Sequence, residues 1–270
     1  MTTSPTKGIK AIAAALGRTL FPDKCLLCGS FFAPPAAASH GAEDIFQGVL
    51  GSWLCGVCLG DCQAIEAPYC RRCGLPFSGE VATDHLCGEC RIHPAAFERA
   101  RSAGPYAGAL KALIRLLKFQ GRVGLALPLG RLLMDSFERH WTPERVDLIV
   151  PVPLHARRMR RRGYNQAYLL LRHWRRWYQT AHHRPLRCRI ERDLLRRIRA
   201  TAPQTGLDRP ARERNLKKAF ALTHPQACAD RRILLVDDIH TTGATLNACA
   251  GVLRDAGARR VEALTLARTV

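Results

Sequence analysis

The sequence predicts an α/β protein, a mostly parallel sheet flanked by helices, carried behind a small cysteine-rich N-terminal module. Three observations lead there. Ile233-Leu234-Leu235-Val236 is a short, branched apolar run, the mark of a strand buried on both faces. An acidic, hydroxyl-rich turn follows it, and then apolar residues at helical spacing: Leu246, Cys249, Ala250 and Leu253. Eight of the twelve cysteines stand in four C-x-x-C pairs before residue 91.

A length of 270 residues accommodates one sizeable domain and one small one. The expected division is a lead-in helix over 1–20, the cysteine module over 21–94 and the α/β domain over 95–270. An apolar content of 47% supports a real core. No run approaches the roughly 20 apolar residues of a membrane span. The stretch Ile9 to Arg18 is basic and then apolar, but its six apolar residues before Gly17 fall short of the ~7–15 of a secretion signal. It reads as an amphipathic lead-in helix, and the chain as cytosolic.

The cysteine pairs are Cys25/Cys28, Cys55/Cys58, Cys70/Cys73 and Cys87/Cys90, and they form an internal repeat of C-x-x-C-G followed by C-G-x-C. Glycine in and after such a turn permits positive φ, so backbone N–H groups can aim at the sulfurs. Four thiolates at tetrahedral corners are the donor set of a structural Zn²⁺, which gives two such sites. The repeat favours consecutive grouping, 25/28/55/58 and 70/73/87/90, with interleaved grouping left open. A disulfide framework fits poorly with two-residue gaps and no secretion signal. Twenty-six residues separate the two pairs of the first unit, including the Ala/Pro-rich insertion Ala33 to Ser39. Cys62, Cys188, Cys228 and Cys249 are spare, and Cys249 falls on the buried face of the last helix. Asp84, His85 and His93 flank the last pair and read as surface residues. Closed four-cysteine sites leave no open coordination position and so do no chemistry of their own.

Glu98 to Tyr106 reads as a strand ending at Gly104-Pro105. Leu110, Leu113, Ile114 and Leu117 share one helical face, and a second helix spans about Val123 to His140. Val146 to Pro153 is the next strand, closed by its prolines. The turn after it carries five arginines within six residues, Arg157, Arg158, Arg160, Arg161 and Arg162, a set suited to phosphate oxygens. These exceed what one small ligand needs, so some face solvent or a larger polyanion. A helix after Asn165 places Ala167, Leu170, Leu171, Trp174 and Trp177 on one side, read as core or interface. Arg197 to Phe220 has no apolar period and suits a mobile loop over an anionic substrate or a nucleic-acid-binding linker.

The segment Asp237-Asp238-Ile239-His240-Thr241-Thr242-Gly243-Ala244-Thr245 carries the densest chemistry. A helix N-terminus offers unpaired N–H groups and partial positive charge to a phosphate. Gly243 and Ala244 allow close approach, and Thr241, Thr242 and Thr245 add hydroxyls. Two carboxylates just before the cradle would repel phosphate itself but can accept hydrogen bonds from sugar hydroxyls joined to it. A ribose 5-phosphate satisfies both halves. It is not a Walker loop, since no Gly-Lys-Ser/Thr is present. The segment resembles the binding signature of type I phosphoribosyltransferases, which use phosphoribosyl pyrophosphate with Mg²⁺. The net charge of +20 is concentrated between Leu154 and Arg232, where 22 Lys and Arg face 5 Asp and Glu. Such a block points to pyrophosphate or nucleic acid, against a plain reading as solvated, Arg-biased surface.

Further motifs are Leu117-Lys118-Phe119, Pro151-Val152-Pro153-Leu154, Arg162-Gly163-Tyr164-Asn165-Gln166 and Asn215-Leu216-Lys217-Lys218-Ala219-Phe220. With the four cysteine pairs and Asp237 to Thr245, in that order, they resemble the ComF family over about residues 20 to 270. The resemblance implies a double zinc ribbon fused to a type I phosphoribosyltransferase fold. It also implies a link to DNA uptake, competence or DNA utilisation, with a ComFA-like helicase partner in some bacteria. Two departures stand out: the long insertion between Cys28 and Cys55, and His240, which occupies a variable position of the turn and is expected to point away from a ligand.

On this reading Asp237 and Asp238 hold the ribose hydroxyls as the catalytic acids, and Thr241, Thr242, Gly243, Ala244 and Thr245 bind the 5-phosphate. Pro153, Leu154 and Arg157, with Mg²⁺, take the pyrophosphate. No residue stands out as a general base for an acceptor. The alternative is a non-catalytic accessory factor that grips single-stranded DNA through the ribbons and the basic block, with a scaffold of vestigial pocket as a third reading.

Overall fold

In the computed structural model, residues 23–34, 44–79, 83–199 and 219–270 are described. The expected lead-in helix, most of the insertion after Pro34 and the loop residues 200–218 lie outside them.

The cysteine repeat read from sequence recurs as a repeat of geometry. In the first unit β1 (Asp23–Lys24) pairs with β2 (Phe31–Phe32), Cys25 N–H donates to the Ser30 carbonyl at 2.8 Å, and Gly29 N–H to the Cys25 carbonyl at 2.9 Å. In the second, Cys70 N–H donates to the Leu75 carbonyl at 2.8 Å and Gly74 N–H to the Cys70 carbonyl at 2.9 Å. Gly74 sits at φ +67°, and a Cβ there would lie 2.8 Å from the Ala100 carbonyl, so only glycine fits. After α1 (Ile45–Leu50), the C-G-x-C halves open short helices, α2 (Gly56–Gly60) capped by Cys55 and α3 (Gly88–Ile92) capped by Cys87.

Neither unit stands apart from the rest of the chain. Ile45, Phe46, Leu50 and Leu54 of the first pack into one apolar cluster with α4 (Gly108–Phe119) and α5 (Ala126–His140). The second is stitched to the edge strand β3 (Ala100–Pro105): Ala100 N–H donates to the Arg72 carbonyl at 2.6 Å, and Arg101 Nη1 to the Arg71 carbonyl at 3.1 Å. Covering that edge removes a row of unpaired backbone groups.

The central sheet contains β3, β4 (Leu148–Pro151), β5 (Arg189–Ile190), β8 (Arg232–His240) and β9 (Arg260–Arg268) in the order β3-β9-β8-β4-β5. All four pairings are parallel. Helices cover both faces, as a parallel sheet requires. One face carries Leu234, Val236, Leu264 and Leu266 against α4, α5, α7 (Gln166–Leu171) and α8 (Trp174–His182). The other carries Ile233, Leu235, Val150 and Val261 against Leu246, Cys249, Ala250 and Leu253 of α9 (Ala244–Asp255). Cys249 is fully buried, the core role its helical position predicts.

Three details depart from the sequence reading. The strand expected over 233–236 runs on to His240, so both aspartates belong to it. The helix expected after Asn165 is broken near His173 into α7 and α8; Trp174 is fully buried and its Nε1 donates to the Gly130 carbonyl at 3.2 Å. Arg197, the start of the expected loop, ends β6 (Leu195–Arg197), which pairs antiparallel with β7 (Phe220–Leu222) at the loop's base.

Candidate functional site

The chain leaves β4 toward one edge of the sheet, where β5 lies, and leaves β8 toward the other, where β9 lies. The C-terminal ends of β4 and β8 therefore flank a switch point, where open α/β sheets present a crevice for ligands. Pro151 is in register with Val236, and Val152 N–H donates to the Val236 carbonyl at 2.8 Å. Pro153 and Leu154 thus emerge beside Asp237 and Asp238, two groups that sequence alone placed some 80 residues apart. Arg157 lies exposed in α6 (Ala156–Arg162), whose first turn is capped by His155 Nδ1 accepting from Arg157 N–H at 3.2 Å. Asn165 anchors the return: its Nδ2 donates to the Val152 carbonyl at 3.1 Å, and its Oδ1 accepts from Ala167 N–H at 3.0 Å.

Alternation along β8 sends the two acids to opposite faces. Asp238 is buried, and its Oδ1 is ion-paired to Lys118 Nζ at 2.7 Å. Its Oδ2 is buried with no hydrogen-bond partner among the described residues. Asp237 is half-buried and its Oδ1 accepts from Asp238 N–H at 2.9 Å. Burial, reinforced by the neighbouring Asp238 charge, pushes the Asp237 carboxyl up to about 8, with Lys118 and Arg197 pulling the other way. The strand thus ends in one carboxylate held by a lysine and one carboxyl that holds its proton well above the ordinary carboxylate range.

Beyond them the chain turns through exposed Thr241 and Thr242 into Gly243, at φ +78°, and then α9. Ala244 N–H donates weakly to Thr242 Oγ1 at 3.4 Å. The N-terminus of this 12-residue helix carries the partial positive charge that favours an anion. The structure brings the predicted Thr241, Thr242, Gly243, Ala244 and Thr245 directly after the acid pair, on the edge that also holds Pro153 and Leu154.

Two contributors have no role that sequence assigns. Lys118 belongs to a flagged motif, but its partner is 120 residues distant. His240 is buried: Arg268 Nη1 donates to its Nδ1 at 2.9 Å, and the Phe97 ring meets it edge-on. Burial and the Arg268 charge hold His240 well below the usual imidazole range, so it is neutral.

The eight paired cysteines form two groups, Cys25/Cys28/Cys55/Cys58 and Cys70/Cys73/Cys87/Cys90, with all sulfurs of each within 4.8 Å of one another. This is the consecutive grouping. Cys28 and Cys55 sulfurs lie 3.7 Å apart, and Cys73 and Cys87 sulfurs 3.8 Å. A Zn–S bond of about 2.3 Å gives a tetrahedral edge of about 3.8 Å, so both groups fit zinc. Burial works against ionising Cys70, yet N–H groups of Cys73 and Cys87, at 3.5 and 3.3 Å from its sulfur, bring the thiol down to about 6. The chain thus carries two structural zinc sites, and among the described residues no helix is long and apolar enough to cross a membrane.

Two four-cysteine sites ahead of a helix-flanked parallel sheet define an α/β protein with an N-terminal double zinc ribbon, and residues 16–91 match the double zinc ribbon domain family. The chain is 37% identical to DNA utilization protein YhgH of Escherichia coli K12 over 226 residues, covering 82% of this chain and 93% of that protein. It is 34% identical to competence protein F of Haemophilus influenzae, covering 79% and 90%, and 27% identical to competence protein ComFC of Bacillus subtilis, covering 91% and 95%. The chain belongs to the ComF family of competence and DNA utilisation proteins.

Proposed function

We propose that this chain binds phosphoribosyl pyrophosphate, with Mg²⁺, in the crevice between β4 and β8, and transfers the phosphoribosyl group to an acceptor in the service of DNA uptake or utilisation. The observation that carries this reading is the buried Oδ2 of Asp238, without a partner among the described residues, beside Asp237 and close to the threonine cradle. An orphaned carboxylate oxygen costs about 1–3 kcal/mol or more, and a ligand hydroxyl removes that cost. Ribose hydroxyls suit the acids, one donating to Asp238 Oδ2 and a neighbour hydrogen-bonding to Asp237.

In this scheme Thr241 to Thr245 and the N-terminus of α9 fix the 5-phosphate, which holds the sugar while its C1 bond breaks. Pro153, Leu154 and Arg157 border the space for the departing pyrophosphate, and Mg²⁺, when bound, would neutralise its charge. Carboxylates beside the sugar favour the cationic character that develops at C1. The thiolate clusters require a reducing compartment, which supports a cytoplasmic location. The deciding assay incubates labelled phosphoribosyl pyrophosphate with the protein and a panel of bases and amines. Pyrophosphate released with one acceptor, and only with it, supports the transferase; none released with any acceptor leaves binding without transfer.

A second reading is favoured by α6. Arg157, Arg160 and Arg161 are exposed, with no carboxylate partner among the described residues, and Arg158 is crowded by Arg162 and Arg161. Such a stripe suits a single-stranded DNA backbone, and a ComFA-like helicase would be the natural partner. Binding to an oligonucleotide that falls steeply between low and moderate salt would support it.

A further inference from the structure

Polar contacts run from the second cysteine group to His240, whose ring packs under the threonine cradle. Arg268, the last residue of β9, is 7% exposed, and its Nη2 donates to Cys73 Sγ at 3.2 Å. Its Nη1 donates to His240 Nδ1 at 2.9 Å. A guanidinium has donors only, so Nδ1 is the acceptor and the ring proton sits on Nε2. That Nε2 lies against Gly243, where an added Cβ would stand 2.8 Å from it. Elsewhere the contact is open: a cavity of about 160 Å³ lies between Cys73, Cys87 and Cys90 on one side and Thr242, Ala244 and Asn247 on the other. The His240–Arg268 pair borders this gap, helped by Ala96 N–H donating to Asn247 Oδ1 at 2.6 Å.

We propose that the second zinc centre anchors the phosphate cradle through Arg268 and His240, so that zinc at Cys70/Cys73/Cys87/Cys90, and not at the other group, sets the order of residues 241–247. A metal-bound Cys73 is a thiolate, and a thiolate accepts a charge-assisted bond that orients the Arg268 guanidinium. The guanidinium fixes the tautomer and tilt of His240, and the ring supports Gly243. In the first group Cys28 Sγ lies 2.6 Å from Ser30 Oγ of its own turn, and Cys25, Cys55 and Cys58 pack with the cluster that holds Ile45, Phe46 and the α4 side chains. The anchor deepens the sugar-phosphate reading and rests on it for one consequence: by reciprocity, a sugar phosphate on the cradle tightens zinc at the second group.

The test is hydrogen–deuterium exchange of residues 241–247 in the full, zinc-loaded chain, with zinc content measured in parallel. His240→Phe, which keeps the ring and its packing, should retain two zinc ions yet raise exchange there about tenfold, within the usual range of site-to-site coupling. Arg268→Gln and Cys90→Ser should do the same, the latter with one zinc lost, while Cys28→Ser should lose a zinc and leave 241–247 unchanged. Unchanged exchange in both His240→Phe and Cys90→Ser, or an equal rise in Cys28→Ser, overturns the anchor. Calorimetry with ribose 5-phosphate on the same samples separates the two claims. No binding to wild type with the exchange pattern intact ends the sugar-phosphate reading alone; binding with exchange unmoved ends the anchor alone.

Discussion

Lys118 Nζ meets Asp238 Oδ1 at 2.7 Å in the interior, while the other oxygen of the same carboxylate has no partner among the described residues. The end of α4 and the end of β8 are thus locked together by half of a carboxylate. Removing one member of a buried pair leaves an uncompensated charge at a cost of about 3–5 kcal/mol. Lys118→Met should therefore lower the unfolding free energy read from urea denaturation by an amount in that range. Adding Asp238→Asn should recover much of it, since the stranded charge is then gone. A double variant as unstable as Lys118→Met alone would show that the lysine acts through packing.

Asp237 gives stability a pH dependence of known sign. Its folded pKa, about 8, lies above the ordinary carboxyl value of 3.8, so the folded state binds the proton more tightly than the unfolded chain. The corresponding stabilisation is complete below about pH 4 and is lost as pH rises toward 8, with a slope of at most about 1.4 kcal/mol per unit. Urea midpoints of wild type should fall across that window relative to Asp237→Asn, which does not titrate. Parallel pH profiles for the two proteins would show that Asp237 has an ordinary pKa.

Zinc stoichiometry tests the cysteine grouping directly. Cys28→Ser with Cys55→Ser strikes one group twice and should leave about one zinc ion bound, whereas Cys28→Ser with Cys73→Ser strikes both and should leave none. Interleaved sites would give the opposite pattern. Metal analysis of the purified variants distinguishes them.

Much of this is readable without the fold, because the chemistry is local. The cysteine repeat, the strand into the acid pair, the threonine cradle and the buried face of α9 all depend on residues within a few positions of one another. What sequence hides depends on distant partners. β9 is buried along nearly its whole length, yet Glu262 and Thr265 interrupt its apolar run. They are tolerated because Trp141 Nε1 donates to Glu262 at 3.0 Å and Thr265 Oγ1 lies 2.6 Å from Ser102 Oγ. Sequence turns His240 away from a ligand; its position between Arg268, Phe97 and Gly243 follows from a strand whose length the acid pair disguises. Lys118 stands in a recognisable motif, but nothing nearby names Asp238 as its partner.

The most direct measurement is a calorimetric titration of phosphoribosyl pyrophosphate with Mg²⁺ into wild type and the Asp237→Asn, Asp238→Asn double variant. Wild type should show saturable one-to-one binding, weakened about a hundredfold or more in the variant, since charge-assisted hydrogen bonds contribute about 1.5–3 kcal/mol each. No binding to wild type, or equal affinity for both proteins, would contradict the sugar-phosphate reading.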